Sequence, residues 1–337
     1  MGSLFTIGIP VYNGMPYLPE TLDSVLRQTY QNFEILVIND GSTDDSWRYL
    51  RSVRDPRLRL LSQENQGLTP TLNRLLAEAR TPWLVRLDAD DIACPDRLAR
   101  VAEQIALRPG AGMLFSRAQH HHHAKAISLA RTSEGSPAQL RAQTEAGYLL
   151  AICHSTAVLN VRKTMDLGGY RFQLHIEDLD LWWRMALSYD LIFIPEITVA
   201  YRLNSASVCI GNLSELSVHT LYAQYLLLSH LWNLPPLGFS EARLTLEDLV
   251  DQRRLRYREH MWNAAICLSD QKYARAGKHL FSAAVNAPGR FVERVRYPLQ
   301  RNTAIQVGES PEIFERLREQ LWPAVTTRAA REAVLSS

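Results

Sequence analysis

Trp83-Leu84-Val85-Arg86-Leu87-Asp88-Ala89-Asp90-Asp91 is the stretch on which this chain turns. An apolar run suited to a buried strand stops at three carboxylates. Each ionised acid raises the cost of ionising its neighbours, so such a strand end needs compensation. A divalent cation with oxygen preference supplies it, and magnesium or manganese held this way keeps coordination positions for phosphate oxygens. The bland alternative is an acidic turn capping the helix that Pro95 and Asp96 open.

The sequence before that stretch strengthens the first reading. Phe5-Thr6-Ile7-Gly8-Ile9-Pro10-Val11 predicts a buried strand closed by proline, with Tyr12-Asn13-Gly14 as a turn. Leu18, Leu22, Val25 and Leu26 recur at helical spacing. Phe33 to Ile38 predicts a second strand running into the polar turn Asn39-Asp40-Gly41-Ser42-Thr43-Asp44, whose last three residues suit capping of the next helix. Leu58 to Leu61 predicts a third strand, Thr69 to Ala79 a helix, and Trp83 to Leu87 a fourth strand. Strand alternating with helix predicts an α/β fold, a doubly wound, mostly parallel, Rossmann-like sheet with helices on both faces. Such sheets bind ligands beyond the carboxyl ends of their strands. Pro10-Val11-Tyr12-Asn13, Asn39-Asp40 and Asp88-Ala89-Asp90 all fall there. With no Gly-x-Gly-x-x-Gly after the first strand and no Gly-Lys-Ser/Thr, a phosphorylated ligand would rely on a carboxylate-held metal.

Composition narrows the class. The 337 residues are 46% hydrophobic with a formal net charge of +2, which argues against a dedicated nucleic-acid binder. Cys94, Cys153, Cys209 and Cys267 lie far apart, so reduced cytosolic thiols are expected in place of a zinc site or disulfide scaffold. The first residues carry no basic-then-apolar leader pattern, and no apolar run reaches transmembrane length.

After the acidic cluster, Pro95-Asp96-Arg97-Leu98 opens a helix and Gly112 to Phe115 predicts a strand. The run His120 to His123 reads as an exposed, variable loop, and Leu129 to Ala142 as a mobile segment over the site. His154, between apolar runs, suits a core histidine. Leu167-Gly168-Gly169-Tyr170 is a turn. Glu177-Asp178 then precede a helix carrying Trp182 and Trp183; a carboxylate shielded by aromatics makes a good general base. Aromatic faces beside acids also suit the apolar faces of a sugar ring.

Taken in order, these motifs resemble the family 2 glycosyltransferases, inverting enzymes of the GT-A fold. The matching residues are Ile9-Pro10-Val11-Tyr12-Asn13, Leu22 to Tyr30, Phe33-Glu34-Ile35, Asn39 to Asp44, Asn65-Gln66-Gly67, Asp88-Ala89-Asp90-Asp91 with Pro95-Asp96-Arg97-Leu98, and Gly168-Gly169-Tyr170 with Glu177 to Trp182. The resemblance spans about residues 4 to 208. It implies a sugar-nucleotide donor, UDP-linked by expectation, and Mn2+ or Mg2+. Pro10, Tyr12, Asn13, Asp40 and Ala89 would border the nucleotide. Asp88 would face the ribose or metal, Asp90 would be the main metal ligand, and Arg86 would steady the acids or the phosphate. Asp178 would be the general base, with Glu177 orienting it or binding acceptor. Family members often carry Tyr-Arg-x-His; here Asn204 follows Tyr201-Arg202-Leu203, and His154 or Arg202 would supply the missing diphosphate contact. Trp182 would lie against acceptor.

Residues 1–208 would form the catalytic domain and 209–337 a helical C-terminal region. Within it Ala276, Leu280, Ala283 and Pro288 fall at tetratricopeptide-like spacing, and Arg290 to Arg301 suits either anionic lipid headgroups or a solvated basic face. The expected location is cytoplasmic, at most peripheral on the inner face of the membrane. The expected partners are the nucleotide-sugar donor and a saccharide or lipid-linked saccharide acceptor, with no nucleic acid. A sugar-phosphate nucleotidyltransferase would share the metal acids but has no need of Glu177-Asp178; a silent scaffold would need neither Asp90 nor Asp178.

Overall fold

The computed structural model describes residues 3–122, 125–203, 213–296 and 307–323. The elements of the first half are β1 (Phe5–Val11), α1 (Leu18–Leu26), β2 (Phe33–Asp40), α2 (Ser46–Ser52), β3 (Leu58–Gln63), α3 (Leu68–Glu78) and β4 (Trp83–Arg86). They continue with β5 (Ile92–Ala93), α4 (Arg97–Leu107), β6 (Met113–His122), β7 (Lys125–Leu129), α5 (Pro137–Glu145), β8 (Val158–Asn160), α6 (Val161–Asp166), α7 (Glu177–Ser188) and β9 (Leu191–Arg202).

Among the described residues these strands make one sheet in the order β3-β2-β1-β4-β8-β6-β9-β5, with β7 on β6. Strands β3, β2, β1 and β4 run parallel, so their carboxyl ends share one edge. Val11 stands opposite Asn39, and Gly8 opposite Arg86. The chain then turns back: β8 joins β4 antiparallel, and β6 and β9 pair in parallel beyond it. Every residue of β1 is buried, as a strand covered on both faces requires. The fold is α/β of the GT-A kind with additional C-terminal helices.

One face of the sheet packs Leu18, Leu22 and Val25 of α1 with Leu98 and Val101 of α4. The other packs Leu72, Leu75 and Leu76 of α3 with Leu181, Trp182 and Met185 of α7. At 25 cal/mol per Å², each such fully buried leucine contributes roughly 2 kcal/mol.

The structure departs from the sequence reading at three places. Strand β2 runs on through Asn39 and Asp40, which are 3% exposed, so they form the strand's last residues and not its turn. His120 to His122 lie in β6 and pair with β7 and β9, because neighbouring strands extend far enough to accept the ladder; His123 lies outside the described residues. The segment Leu129 to Ala142 is anchored: Thr132, Ser133 and Leu140 are buried, and Ser133 exchanges bonds with the backbone of Ala151 in both directions.

The chain divides into two compact units, one taking residues up to Ala142 and Leu150–Arg202, the other Gln143–Leu149 and the chain from Leu203 on. The boundary expected near 208 falls among residues outside those described. The second unit is helical, with Leu213–Leu231, Phe239–Glu247, Gln252–Ser269 and Tyr273–Asn286 as its longer helices alongside Pro288–Arg296. Gln224 holds it together by donating to the carbonyls of Gly147 and Glu309. Among the described residues no helix is long and apolar enough to cross a membrane, and Cys94, Cys153 and Cys267 are free thiols.

Candidate active site

The parallel strand ends gather most of the nominated residues, and hydrogen bonds fix their loops. Asn13, held at φ 52°, accepts from the backbone N–H groups of Thr43 (2.8 Å) and Asp44 (3.3 Å), while its own N–H donates to Ser42 Oγ (3.0 Å). The loop after β1 is thereby tied to the loop after β2. Tyr12 beside it is 53% exposed. Asp40 is engaged elsewhere. Its Oδ1 accepts from Gln63 Nε2 (2.7 Å) and Gln66 N (3.0 Å), its Oδ2 from Gly67 N (3.0 Å). This carboxylate organises the Asn65-Gln66-Gly67 loop. Gly41 lets that loop pass: with φ +72°, a Cβ there would meet Asn65 N at 2.6 Å.

The three acids after β4 take different roles. Arg86, fully buried, donates from Nη2 to Asp88 Oδ1 at 2.5 Å, and Ser155 Oγ donates to Asp88 Oδ2 at 2.8 Å. Asp88 is about a third exposed, at 32%, and although burial opposes its charge, Arg86 and the Ser155 hydroxyl hold its carboxyl below the usual range. Asp90 is pushed up to about 6 by burial and by the charge of Asp88. Asp91 is fully buried, and burial with Asp88 and Asp90 beside it raises its carboxyl well above normal; its Oδ1 accepts the backbone N–H of Arg202 at 2.8 Å. Asp91 therefore ties the acidic loop to the end of β9. Arg202 reinforces the tie by donating from Nε to the Asp90 carbonyl (2.8 Å) and pairing with Glu20 (2.5 Å). The Ala89 carbonyl accepts from Thr21 Oγ1 at 3.0 Å.

On the same face of the sheet as α3, α7 brings in the second acid pair. Glu177, 7% exposed, is pushed up to about 8 by burial and by Asp178. Asp178 is pushed up to about 6, chiefly by burial, with Asp88 raising and Arg86 lowering it. Arg86 and Asp88 are therefore electrostatic neighbours of both acid groups, Asp90 and the Glu177-Asp178 pair. His154 Nε2 lies 2.9 Å from Tyr170 Oη, and the His154 ring stands edge-on to Trp182. Burial and Arg86 push His154 down to about 3, so it is neutral and a polar contact, not a cationic one. Trp182, expected against acceptor, is 0% exposed and backs His154 inside the core. Asn204 lies outside the described residues.

Asn73, Arg171 and Arg184, which fall in none of the quoted motifs, join motif residues Arg97, Gly169, Tyr170 and Asp180 in holding these loops. Asn73 of α3 donates to the Tyr170 carbonyl (2.8 Å) and accepts its N–H (2.9 Å). Gly169 makes room, since a Cβ there would meet Asn73 Oδ1 at 2.6 Å. Asp180, fully buried, receives Arg171 and Arg184, and Arg184 also caps the carbonyls of Leu167 and Gly169. Arg97, buried at 1%, donates to the carbonyls of Arg86 (2.9 Å) and Ser155 (2.6 Å), stitching the end of β4 to the turn at His154–Thr156.

The donor set suits a hard divalent cation that shares its coordination with substrate. Asp88 keeps acceptor capacity beyond its two bonds, and Asp90 beside it is strained by a like charge that a cation would relieve. Among the described residues no three His, Cys, Asp or Glu side chains come together to enclose an ion. Magnesium and manganese commonly take only one or two carboxylates and complete their shell with phosphate oxygens and water.

Comparison with known proteins agrees with the fold. In solved structures, the chain is similar to Staphylococcus aureus TarS 1-349 in complex with UDP (TM-score 0.51, 17% identity, 89% of this chain and 93% of that one). It is likewise similar to the mannosyltransferase PcManGT from Pyrobaculum calidifontis in complex with GDP-Man and Mn2+ (TM-score 0.51, 17% identity, 88% of this chain and 80% of that one). In sequence, 108 residues are 34% identical to glycosyltransferase GlyG of Streptococcus pneumoniae, covering 31% of this chain and 36% of that protein. A 95-residue stretch is 37% identical to chondroitin synthase of Escherichia coli, covering 28% of this chain and 14% of that one. The matches thus span about a third or less of these relatives' length. Residues 6–168 match the glycosyl transferase family 2 model. Through that segment, which carries β1 to β4, the acidic loop and His154, the chain belongs to glycosyl transferase family 2.

Proposed function

We propose that this chain moves a sugar from a nucleoside-diphosphate donor, UDP-linked by preference, to a hydroxyl of a glycan or lipid-linked saccharide with inversion, Asp178 acting as general base. One observation supports the reading: Arg86 and Asp88 influence both Asp90 and the Glu177-Asp178 pair, as expected if the metal acids and the base face a common substrate. The ligands named for TarS and PcManGT, UDP and GDP-Man with Mn2+, support a sugar nucleotide as donor.

Pro10, Tyr12 and Asn13 at the end of β1 would border the nucleotide, with Ala89 opposite. Asp40 would act through the loop it holds. Asp88 and Asp90 would hold Mn2+ or Mg2+, which when bound supplies positive charge that neutralises the departing diphosphate. Arg86 keeps Asp88 ionised for that task. Arg202 holds the acidic loop in register and adds positive charge beside it. His154 and Tyr170 offer neutral hydrogen bonds to sugar or phosphate oxygens. Burial raises both carboxyls, and the charge of Asp178 raises Glu177 further, so Glu177 is the one that holds a proton more readily. Two acids pushed apart in this way divide the roles: Asp178 takes the acceptor's proton and Glu177 donates a hydrogen bond.

The test is calorimetric binding of sugar nucleotides with and without manganese, joined to turnover. Asp178→Asn is expected to keep donor affinity while turnover falls on the order of 10²–10⁴; retained turnover removes it as base. Asp90→Ala is expected to abolish metal-dependent donor binding, and unchanged binding removes the metal role.

A further inference from the structure

Within the second unit, Gln252–Ser269 and Tyr273–Asn286 pack as a helical hairpin with Ala264, Ala276 and Ala283 buried at 0–1% exposure. Burial of Ala276 and Ala283 sets the opposite side of Tyr273–Asn286 half a turn away. Lys278, Phe281 and Val285 stand there, and Phe281 and Val285 are 72% and 65% exposed. Tyr273 (67%) and, on the next helix, Val292 (58%) are exposed as well. Phe281 and Val285, one helical turn apart on a face away from the hairpin's packed alanines, form an exposed apolar pair among polar neighbours.

The charge around it identifies the partner. Residues 271–303 carry seven lysines and arginines against one acid, Glu293, in a chain whose net charge is only +2, so the remainder is acidic overall. Lys272 pairs with Asp270 at 2.7 Å. Arg275, Lys278 and Arg290 are exposed and make no ion pair among the described residues. The side chains of Arg294 and Arg296, and Arg301 entirely, lie outside the described residues and add charge by sequence alone. Cations spread around an exposed apolar pair fit a laterally extended anionic surface; a protein groove would demand one matched acid per cation.

We propose that this face docks on an anionic lipid bilayer, with Phe281, Val285, Val292 and Tyr273 entering the headgroup boundary and the flanking cations among the phosphates. The inference is independent of the reaction proposed above, and neither test decides the other.

The experiment is co-sedimentation of the full chain with vesicles of phosphatidylcholine alone or with added phosphatidylglycerol, across a salt series. Binding to the anionic vesicles only, weakening with salt, is expected. Phe281→Ser combined with Val285→Ser should lower it at least about tenfold, and Lys278→Gln or Arg290→Gln roughly fivefold each. These positions are exposed, so melting temperature and circular dichroism should stay at wild-type values and verify folding. Equal binding to neutral vesicles, or unchanged binding by the serine pair, overturns the proposal. So does self-association that the serine pair abolishes in a chain that ignores vesicles.

Discussion

Replacing Glu177 with Gln should make the protein more stable, and increasingly so as pH rises. Glu177 sits in the first turn of α7 at 7% exposure, and burial together with Asp178 lifts its carboxyl from 4.5 to about 8. A carboxyl raised on folding favours the folded state only below its unfolded value. That contribution is lost as pH climbs towards the folded value, because the unfolded chain releases its proton and the folded chain does not. pH 7 lies about 2.5 pH units above the ordinary value, which at 1.36 kcal/mol per unit makes the wild-type cost on the order of 3 kcal/mol. Gln keeps the shape and the hydrogen-bond donor but cannot ionise. The variant's advantage should therefore be small near pH 5 and grow by about 3 kcal/mol by pH 8. For a unit of this size that corresponds to a melting point higher by about 6–12 °C. The assay is paired thermal and urea denaturation of wild type and Glu177→Gln at several pH values without divalent cation. A pH-independent difference, or a variant less stable than wild type at pH 8, would refute the reasoning. Either result would mean that the helix N-terminus and Arg86 keep Glu177 ionised.

The ionisation of Asp178 sets the next expectation. If Asp178 must be charged to act, turnover should rise with pH through about 6 and flatten above it, and a profile flat down to pH 5 argues for another base. Asn73→Ala removes both bonds to the Tyr170 backbone. It should cost about 1–3 kcal/mol in denaturant melts and reduce turnover more than donor affinity, since Tyr170, beside the acid pair, holds His154; full stability and activity would show the turn holds itself.

What the residues alone decide is the local part. Alternation of apolar strands with helices of 3.6 spacing, and the placement of Tyr12-Asn13, Asn39-Asp40 and Asp88-Asp90 after strands, make the α/β fold and its ligand-binding edge legible, because parallel strands must end on a common side. The long range was not legible. That Asp91 is a buried tie to Arg202, 111 residues away, that Asp40 is consumed by Gln63, Gln66 and Gly67, and that Trp182 faces the core depend on which partners folding brings within hydrogen-bond or packing distance. The histidine run became a strand only because β7 and β9 lie beside it. Charge type is written in sequence, whereas desolvation and neighbouring charge, which shift five similar carboxyls in different directions, exist only once the chain has closed around them.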